Sequence, residues 1–420
     1  MLDAAPVVVR SGCTTVVAAE PVEVVAAWGD DALDALDRLT PGWWAGLLSY
    51  DLGRSIERVV PRHGQEQLLG DRVLEEDRGV PDVLLARYDA RLVVAGSQVG
   101  FEGRRAATHR LERLLTRAPT PTPPVPLGAA ISSLDRDEYE AGVAAIIELI
   151  EAGECYQVNL TRRLSWDRAA DGRALHHALA TRNPAPHAGL FALPRPHAGP
   201  LVVVSASPER FLSWRGRDVE TRPIKGTARR AEPLMASTKD RAENVMIVDL
   251  ARNDLGRVCE FGSVHVPALC AVEHHPGLHH LVSTVRGRLR ADVGVRELVR
   301  ATFPPASVTG APKPRVLQAI EDLEPVRRGV YCGAIGWLDT ERGEGDFAVA
   351  IRTFTIADGR THLGVGAGIV ADSDPGAEWR ETELKAERLI AAADASAAAE
   401  RSDRSERSER SETRVTRVPL

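Results

Sequence analysis

A single lysine stands in the run TRPIKGTARR of an arginine-rich chain. This residue, Lys225, differs from arginine because it can lose its proton when it is withdrawn from water. A neutral lysine can act as a nucleophile or a base, so the run is a candidate for covalent chemistry. A surface lysine before a turn glycine is the alternative that the local sequence leaves open.

Two pairs of acidic residues have the spacing of one helix face. Asp240 and Glu243 lie three residues apart in TKDRAENVMIVDL, and Glu378 and Glu381 do so in EWRETELKAERL. Brought together, these pairs would form an oxygen-rich site for a hard cation such as Mg²⁺, with one direct carboxylate from each helix. The spacing alone also fits two solvated helix faces.

Other candidates are single residues and glycine-rich runs. Arg352 lies mid-strand among apolar neighbours, which predicts a carboxylate partner from the protein or from a substrate. Glu209 in SPERF and His280 in HHLVST are further candidates. The runs FPPASVTGAPKPR and GVGAGIV could bring backbone N–H groups to an anion or simply form turns, and neither matches a nucleotide-binding pattern.

The composition is that of a globular protein with one large or two ordinary domains. The chain has 420 residues, of which 44% are hydrophobic and 27% charged. A net charge of −6 argues against nucleic-acid binding. No apolar run has transmembrane length, no signal peptide is recognised, and five scattered cysteines predict reduced thiols in a cytoplasm.

Composition divides the chain into four parts. Residues 1–117 form an amino-terminal region, and residues 118–128, APTPTPPVPLG, read as a stiff connector because proline cannot continue a helix or a ladder. Residues 129–395 form the main body. Residues 396–420 contain RSDRSERSERSE and are predicted to be disordered, with a charged helical extension as the alternative.

The main body alternates helix and strand patterns. Helices are predicted at DRDEYEAGVAAIIELIEAGE, with Asp135 as its cap, at DRAENVMIVDLARNDLGRV and at EWRETELKAERLIAAADA. Strands are predicted at CYQVNLTRRLSW and GPLVVVSASPERFLSW, and paired strands at DFAVAIRTFTIADG and THLGVGAGIV. Strands that come in pairs between helices indicate an α+β fold rather than a parallel sheet.

Taken together, these stretches resemble the chorismate-utilising enzyme family. The matching motifs run in order from about residue 130 to 390: CYQVNL, SPERF, RPIKGT, DRAENVMIVDLARNDLGRV, HHLVSTV, SVTGAPKPR, IRTF, GAGIVADSDP and EWRETELKA. SYDLG at 49–53 resembles a motif of the family's amino-terminal half. The resemblance implies a four-layer α/β/β/α fold with two packed, antiparallel-rich sheets and outer helices, here with a shortened amino-terminal region.

The resemblance also gives Lys225 a function. Family members that aminate C4 of chorismate read Pro-Ile-Lys-Gly-Thr there, as this chain does, whereas members that make anthranilate read Pro-Ile-Ala-Gly-Thr. Members that make isochorismate or salicylate place a base lysine where this chain has Gln157. The implied reaction is conversion of chorismate and ammonia to 4-amino-4-deoxychorismate, for 4-aminobenzoate and folate synthesis, through an adduct on Lys225.

The remaining roles follow from the same resemblance. Lys225 would be the nucleophile and Glu209 the acid that protonates the departing C4 hydroxyl. A Mg²⁺ cofactor would be held by four carboxylates, the first two directly and the others behind them: Glu243, Glu381, Asp240 and Glu378. Substrate would be bound by six further residues: His280, Ser307, Tyr331, Arg352, Gly366 and Gly368.

The implied source of ammonia is a second protein. No amidotransferase signature is present in this chain, so a glutaminase partner subunit is expected to form a heterodimer with it and deliver ammonia. The Leu-Leu-Glu-Ser-type motif of the family's tryptophan pocket is not recognised, which argues against tryptophan binding. Anthranilate synthesis and a catalytically idle chorismate-binding subunit remain the alternatives.

Overall fold

The structure is a computed structural model that describes residues 5–60, 79–116, 126–228, 230–275 and 278–412. Its strands are β1 Val7–Ser11, β2 Thr14–Ala18, β3 Glu23–Ala27, β4 Trp43–Leu48, β5 Val83–Tyr88, β6 Ala90–Ala95, β7 Gln98–Gly103, β8 Ile131–Ser132, β9 Gln157–Trp166, β10 His187–Arg195, β11 Ala198–Ser207, β12 Arg210–Arg215, β13 Asp218–Arg222, β14 Ile224–Ala228, β15 His265–His275, β16 Leu278–Arg288, β17 Gly310–Ala311, β18 Ala334–Asp339, β19 Glu344–Val349, β20 Thr353–Ala357 and β21 Arg360–Ile369.

Helices lie between these strands and follow the last one. The α-helices are α1 Leu52–Glu57, α2 Arg105–Thr116, α3 Arg136–Glu151, α4 Gly172–Arg182, α5 Ala231–Ala236, α6 Thr238–Gly256, α7 Val295–Thr302, α8 Lys313–Leu323 and α9 Pro375–Glu412. Short 3₁₀ turns are found at Gly29–Asp31, Leu33–Arg38 and Ala306–Val308.

Two large antiparallel sheets form the centre of the fold. The first sheet has the order β17-β9-β21-β20-β11-β10-β1-β2-β6-β7, with β8 beside β9. The second has the order β14-β16-β13-β12-β19-β18-β4-β5-β3, with β15 beside β16. Phe191 and Val203 of the first sheet share an apolar cluster with Trp43 and Ile335 of the second, so the two sheets pack face to face.

Helices cover the outer faces of both sheets. Leu179 of α4 and Leu389 of α9 pack on Leu363 of the first sheet, and Val248 of α6 lies in a cluster with Val285 of the second. The predicted α+β fold with four layers, α/β/β/α, is therefore confirmed. The helix predicted after Asp135 is also confirmed, because Asp135 and Glu138 form a reciprocal capping box at its start.

One predicted strand was wrong in a way that matters for the site. GPLVVVSASPERFLSW was predicted as a single strand, but it divides at Pro208 and Glu209 into β11 of the first sheet and β12 of the second. Proline cannot donate to a sheet ladder, so the strand ends there and the chain crosses between sheets. DFAVAIRTFTIADG divides in the same way, into β19 and β20, just before and after Arg352.

The amino-terminal region is not a separate folding unit. Its strands β1, β2, β6 and β7 lie in the first sheet, and β3, β4 and β5 lie in the second. The boundary that composition suggests near residue 117 therefore does not separate two folding units. The predicted connector, residues 118–128, lies outside the described residues up to position 125.

The charged tail begins as a helix. In the structure α9 continues through RSDRSERSERSE to Glu412, which corresponds to the helical alternative rather than to the predicted disorder. Acidic residues in this repeat precede basic ones by four positions, as Glu406 precedes Arg410, and this spacing favours an exposed helix. Residues 413–420 lie outside the described residues. Over the described part of the chain, no helix is both long and apolar enough to span a membrane.

Candidate active site

Lys225 lies in β14 at an irregularity of the pairing between β14 and β16. The register shifts between Ile224 and Thr227, and Gly226 has a positive φ of 81°. A bulge of this kind bends the strand and redirects a side chain. Glycine follows the lysine because this left-handed conformation is strained for residues that carry a Cβ.

The first turn of α6 packs against the same bulge. A Cβ on Gly226 would lie 3.0 Å from Cγ of Asp240, so only a hydrogen fits there without a shift of the neighbour. The N–H of Asp240 donates to Oγ of Ser237, which caps the helix, at 3.1 Å. The helix start is thereby fixed beside Lys225, and Glu243 follows one turn later.

Three carboxylates act on the Lys225 ammonium. Nζ lies 3.8 Å from Oε2 of Glu243, and the lysine side chain is 15% exposed. Burial lowers the pKa of Lys225, and the charge of Lys385 lowers it further. The carboxylates act in the opposite direction and raise this pKa: Glu243, Glu209 and Glu381. Because burial outweighs the carboxylates, the neutral amine is more accessible than in a free lysine.

Glu209 lies where the chain crosses from the first sheet to the second. Its N–H donates to Oγ of Ser207 at 3.2 Å, and its carbonyl accepts from the N–H of Val349 at 3.0 Å. Burial raises the pKa of the Glu209 carboxyl to about 7, although a hydrogen bond from Ser307 and the charge of Lys225 work against the rise. A carboxyl that is partly protonated near neutral pH can donate a proton.

Arg352 lies in the second crossing, directly beside the first. Its carbonyl accepts from the N–H of Ala206 at 3.0 Å, and its φ is +52°. Burial lowers the pKa of the guanidinium, as does Arg388, while Glu209 raises it. A partly buried arginine in a left-handed conformation, tied by its backbone to the first sheet, offers a positioned donor for a carboxylate.

The second acidic pair lies at the start of α9. Oε1 of Glu378 accepts from Oγ of Ser373 at 2.7 Å, and burial, with the nearby charge of Glu381, raises the pKa of Glu378. Burial also acts on Glu381, but Lys385, with Nζ 2.7 Å from Oε1, and Lys225 lower its pKa overall. The two glutamates thus have unequal proton affinities.

These carboxylates have the donor atoms that Mg²⁺ prefers. Glu243 of α6 and Glu381 of α9 both act on the Lys225 ammonium, so carboxylates from two helices lie in its surroundings. Within the described residues, no three His, Cys, Asp or Glu side chains lie close enough together to hold a metal ion. The donor set fits Mg²⁺, with lysines as its counter-ions in this conformation.

The two glycines of β21 lie at an open edge of the first sheet. β20 pairs with β21 only from Arg360 to Leu363, and the carbonyl of Gly366 accepts from Nζ of Lys385 at 2.8 Å. In an antiparallel strand the N–H and C=O of one residue point to the same side, and alternate residues share that side. The N–H groups of Gly366 and Gly368 therefore point to this edge.

Gln157 lies beside the nucleophile candidate. A Cβ on Gly368 would be 2.9 Å from Nε2 of Gln157 and 3.4 Å from Nζ of Lys225, so glycine keeps this space open. The Gln157 side chain is fully buried, and in the described part of the chain neither of its amide atoms has a hydrogen-bond partner. A buried, unpaired amide is costly, and it is available to a bound molecule.

Two predicted site residues lie further from Lys225. Tyr331 packs flat on Gly364, where a Cβ would lie 2.2 Å from its ring atoms, and no contact joins it to Arg352 within the described residues. Burial raises the pKa of Tyr331 well above its usual range. His280 is buried in β16 as the Cα partner of Thr227, two residues along from Lys225.

Two functional candidates were missed at the level of sequence. Lys385 follows Glu381 by four residues on α9, a spacing that predicts an ion pair and could have identified it. Lys239, next to Asp240 on α6, acts on the pKa of both Glu378 and Glu381. The sequence gives no sign of this second contact, because it depends on how α6 and α9 meet.

Comparison with known proteins identifies relatives across most of the chain. A family model described as chorismate binding enzyme matches residues 11–391. The aminodeoxychorismate synthase component 1 of Klebsiella aerogenes is 39% identical over 360 residues, which are 82% of this chain and 76% of that protein. The anthranilate synthase component 1 of Streptomyces coelicolor is 38% identical over 382 residues, 85% of this chain and 74% of that protein.

A solved structure has the same fold. The anthranilate synthase component I of Streptococcus pneumoniae superposes with a TM-score of 0.75 and 27% sequence identity, covering 90% of this chain and 92% of its own. Relatives named for two different synthases are thus similar to this chain to almost the same degree. Overall similarity does not distinguish the products, so individual residues of the site must.

Proposed function

This chain belongs to the family of chorismate-binding enzymes, and we propose that it adds ammonia to C4 of chorismate to give 4-amino-4-deoxychorismate. The observation that carries the proposal is Lys225. Its amine is withdrawn from water, its pKa is lowered by burial, and Glu209, with a pKa of about 7, acts on it electrostatically. A nucleophile and a proton donor are thus paired in one buried site.

In the first step, the neutral amine of Lys225 attacks C2 of chorismate. The C2–N bond forms, the two ring double bonds shift, and the C4–O bond breaks. The Glu209 carboxyl gives its proton to the departing hydroxyl, which leaves as water, because hydroxide is a poor leaving group. The enzyme then holds the ring as a secondary ammonium adduct on Lys225, with Glu209 as a carboxylate.

In the second step, ammonia attacks C4 and the double bonds shift back. The C2–N bond breaks and releases the Lys225 amine in its neutral form. The Glu209 carboxylate takes one proton from the new C4 ammonium group, which restores the acid for the next turnover. Protons therefore balance within the site, and covalent catalysis divides one difficult substitution into two easier ones.

Substrate carboxylates would be bound at the open sheet edge. We assign the enolpyruvyl carboxylate to the Arg352 guanidinium and to the N–H groups of Gly366 and Gly368, since all three offer donors. Tyr331 would join this group after a change of its ring position. His280 and Ser307 would lie near the ring, and the hydrogen bond from Ser307 would orient the Glu209 carboxyl.

Mg²⁺ is the proposed cofactor. Glu243 and Glu381 would hold it, with Asp240 and Glu378 behind them, and it would supply positive charge to the ring carboxylate and draw electron density from the ring. Mg²⁺ binding to the purified chain, measured by calorimetry, is expected to weaken at least about tenfold in Glu381→Gln. Unchanged binding would remove Glu381 from the metal site.

Ammonia is proposed to come from a separate glutamine-hydrolysing subunit. The relatives from Klebsiella aerogenes and Streptomyces coelicolor are both named as component 1 of their enzymes. A two-component arrangement would keep ammonia from escaping as ammonium in water. We further propose that the product is used for 4-aminobenzoate and folate synthesis.

The test is product identification with the purified chain. Chorismate, Mg²⁺ and an ammonium salt are incubated with it at mildly alkaline pH, and the product is identified by mass and ultraviolet spectrum. We expect 4-amino-4-deoxychorismate, with the enolpyruvyl group retained. Isochorismate, or no conversion by a folded chain, would overturn the proposal.

Anthranilate is the second candidate product. It is favoured by the similarity to the anthranilate synthase component 1 of Streptomyces coelicolor, which is 38% identical over 382 residues. Anthranilate forms with loss of the enolpyruvyl group, so the same mass spectrum separates the two products. Formation of anthranilate would mean that a lysine at position 225 does not decide which carbon is aminated.

A further inference from the structure

A second cavity lies on the same inner face of β21, beyond Tyr331. It has a volume of about 310 Å³, within the usual range for a small-molecule site. Its floor is formed by β9, β20 and β21, and its rim includes residues 326–331 and residues 79–80. Lys225 and Glu209 do not line it, whereas Tyr331 does.

Positive charge dominates this cavity. Six of the lining residues are arginines, whereas Asp358 is the one lining residue with a carboxylate. Asp358 accepts from Arg195 at 2.6 Å, and Arg328 is neutralised by Glu324, also at 2.6 Å. Both partners of the Arg328 pair are buried, whereas Asp358 of the Arg195 pair is 61% exposed.

Arg163 and Arg360 lie on the cavity floor. Arg360 lies 3.0 Å from Asp167, but that carboxylate is 69% exposed, and a surface pair of this kind has little strength. Between the two arginines on the cavity floor lies His362, whose Nδ1 is 2.9 Å from Oγ of Ser165. Burial is the largest cause that lowers the pKa of His362 to about 4, and the charges of Arg163 and Arg360 lower it further.

The remaining lining is apolar and aromatic. The side chains of Val80, Val326, Val330 and Ala357 line the cavity together with the Tyr331 ring. A site that combines an aromatic wall with guanidinium groups suits a ligand that has a ring and an anionic group. Inorganic phosphate would use the arginines but leave the apolar wall and most of the volume empty.

We propose that this cavity binds an aromatic carboxylate, with its carboxylate at Arg163 and Arg360 and its ring against Tyr331. The site is separate from the place where Lys225 and Glu209 meet. One consequence rests on the proposed function: because Tyr331 would help to hold the substrate, an occupant that fixes its ring is expected to raise the KM for chorismate.

The test is direct binding to the purified chain, without chorismate, Mg²⁺ or turnover. The probe is 4-aminobenzoate, measured by calorimetry, with 4-aminobenzamide as its uncharged counterpart and inorganic phosphate as an anion without a ring. We expect 4-aminobenzoate to bind at least about tenfold more tightly than either, because it alone makes both the charge-assisted contact and the ring contact. Equal binding of the amide or of phosphate would overturn the proposal.

Variants locate the bound probe. Arg163→Gln removes a charge and Ala357→Leu removes space, and we expect each to weaken 4-aminobenzoate binding at least about tenfold. Arg352→Gln lies in the proposed catalytic site and is expected to leave binding unchanged, as is Arg215→Gln, whose side chain is 88% exposed elsewhere on the molecule. Loss of binding in Arg352→Gln, or normal binding in both cavity variants, would contradict the proposal.

These outcomes are independent of the aminating activity. A chain that binds the probe but forms no 4-amino-4-deoxychorismate would keep the cavity proposal and lose the proposed function. A chain that aminates chorismate but does not bind the probe would keep the proposed function and overturn the cavity proposal.

Discussion

Lys225 and Lys313 are both withdrawn from water, and burial lowers the pKa of each, but the two ammonium groups are held differently. Nζ of Lys313 donates to Oδ2 of Asp254 and to the carbonyl of Thr302, each at 2.7 Å. Nζ of Lys225 lies 3.8 Å from Glu243, which is beyond hydrogen-bond distance. Within the described residues, Lys313 has two short hydrogen bonds, whereas the contact given for Lys225 is the longer one with Glu243.

The difference separates a structural role from a chemical one. Lys313 begins α8 and Asp254 lies near the end of α6, so their pair joins two helices. A buried charge with short hydrogen bonds stabilises its partner and has little tendency to react. A buried lysine without such bonds can become neutral and act on a substrate, which is the property that a nucleophile needs.

The largest expected effect is that of Lys225→Met. Turnover of chorismate with ammonium should fall at least about 1,000-fold, because the covalent step loses its nucleophile. The free energy of unfolding in urea should stay the same or increase, because the variant no longer buries an ammonium without short hydrogen bonds. If Lys225→Met retained more than about a tenth of the activity, Lys225 could not be assigned a chemical role that Lys313 lacks.

Lys313→Met is the matched variant and should reverse this pattern. The Asp254 carboxylate would stay buried without its cation, which costs about 3 to 5 kcal/mol of unfolding free energy. Adding Asp254→Asn should recover part of that loss, since the second variant removes the unpaired charge. Turnover per folded molecule should change little; a specific loss of turnover in a stable Lys313→Met protein would assign it a catalytic role as well.

Glu209→Gln tests the proton donor beside Lys225. Loss of a general acid is expected to lower turnover at least about 100-fold. In the unmodified chain, kcat/KM should decline as pH rises through about 7, because the protonated carboxyl is the active form and its pKa is about 7. The residual activity of Glu209→Gln should not show that decline. If kcat/KM of the variant still declined above pH 7, the decline would belong to another group.

The smallest expected effect is that of Gly226→Ala, which tests how the bulge positions Lys225. With φ at +81° and Asp240 3.0 Å from the added carbon, the variant should lose about 1 kcal/mol of unfolding free energy or somewhat more. Gly216→Ala is its control, because φ is +57° there and nothing lies within 4 Å of the added carbon. Only Gly226→Ala should also reduce turnover; equal turnover in both would mean that the bulge does not aim the lysine.

Local patterns in the sequence were sufficient to predict the helices that carry or flank the candidate site residues. The cap at Asp135 and the apolar spacing of α3 depend on neighbouring residues, and both were predicted, whereas the reciprocal bond from Glu138 was not. The carboxylates of α6 and α9 were recognised as pairs because helical spacing places them on one face. Their convergence on Lys225 was expected from the family resemblance, since spacing alone fits solvated faces equally well.

Contacts between distant segments could not be predicted in this way. Glu209 and Arg352 lie side by side because the chain crosses between the sheets twice at the same place. The first crossing could not be seen when GPLVVVSASPERFLSW was predicted as one strand. The hydrogen bond from Lys385 to the carbonyl of Gly366 joins a helix to a sheet edge. The burial that lowers the pKa of Lys225 also depends on how distant segments of the chain pack around it.

The most direct test of the contrast is to find which lysine reacts. The purified chain is mixed with chorismate and Mg²⁺ in the absence of ammonium, quenched with acid, and analysed by intact mass and peptide mapping. We expect a chain heavier by chorismate less one water, with the addition on Lys225 and none on Lys313. An adduct on another residue, or an unmodified Lys225 in a sample that forms product once ammonium is added, would contradict it.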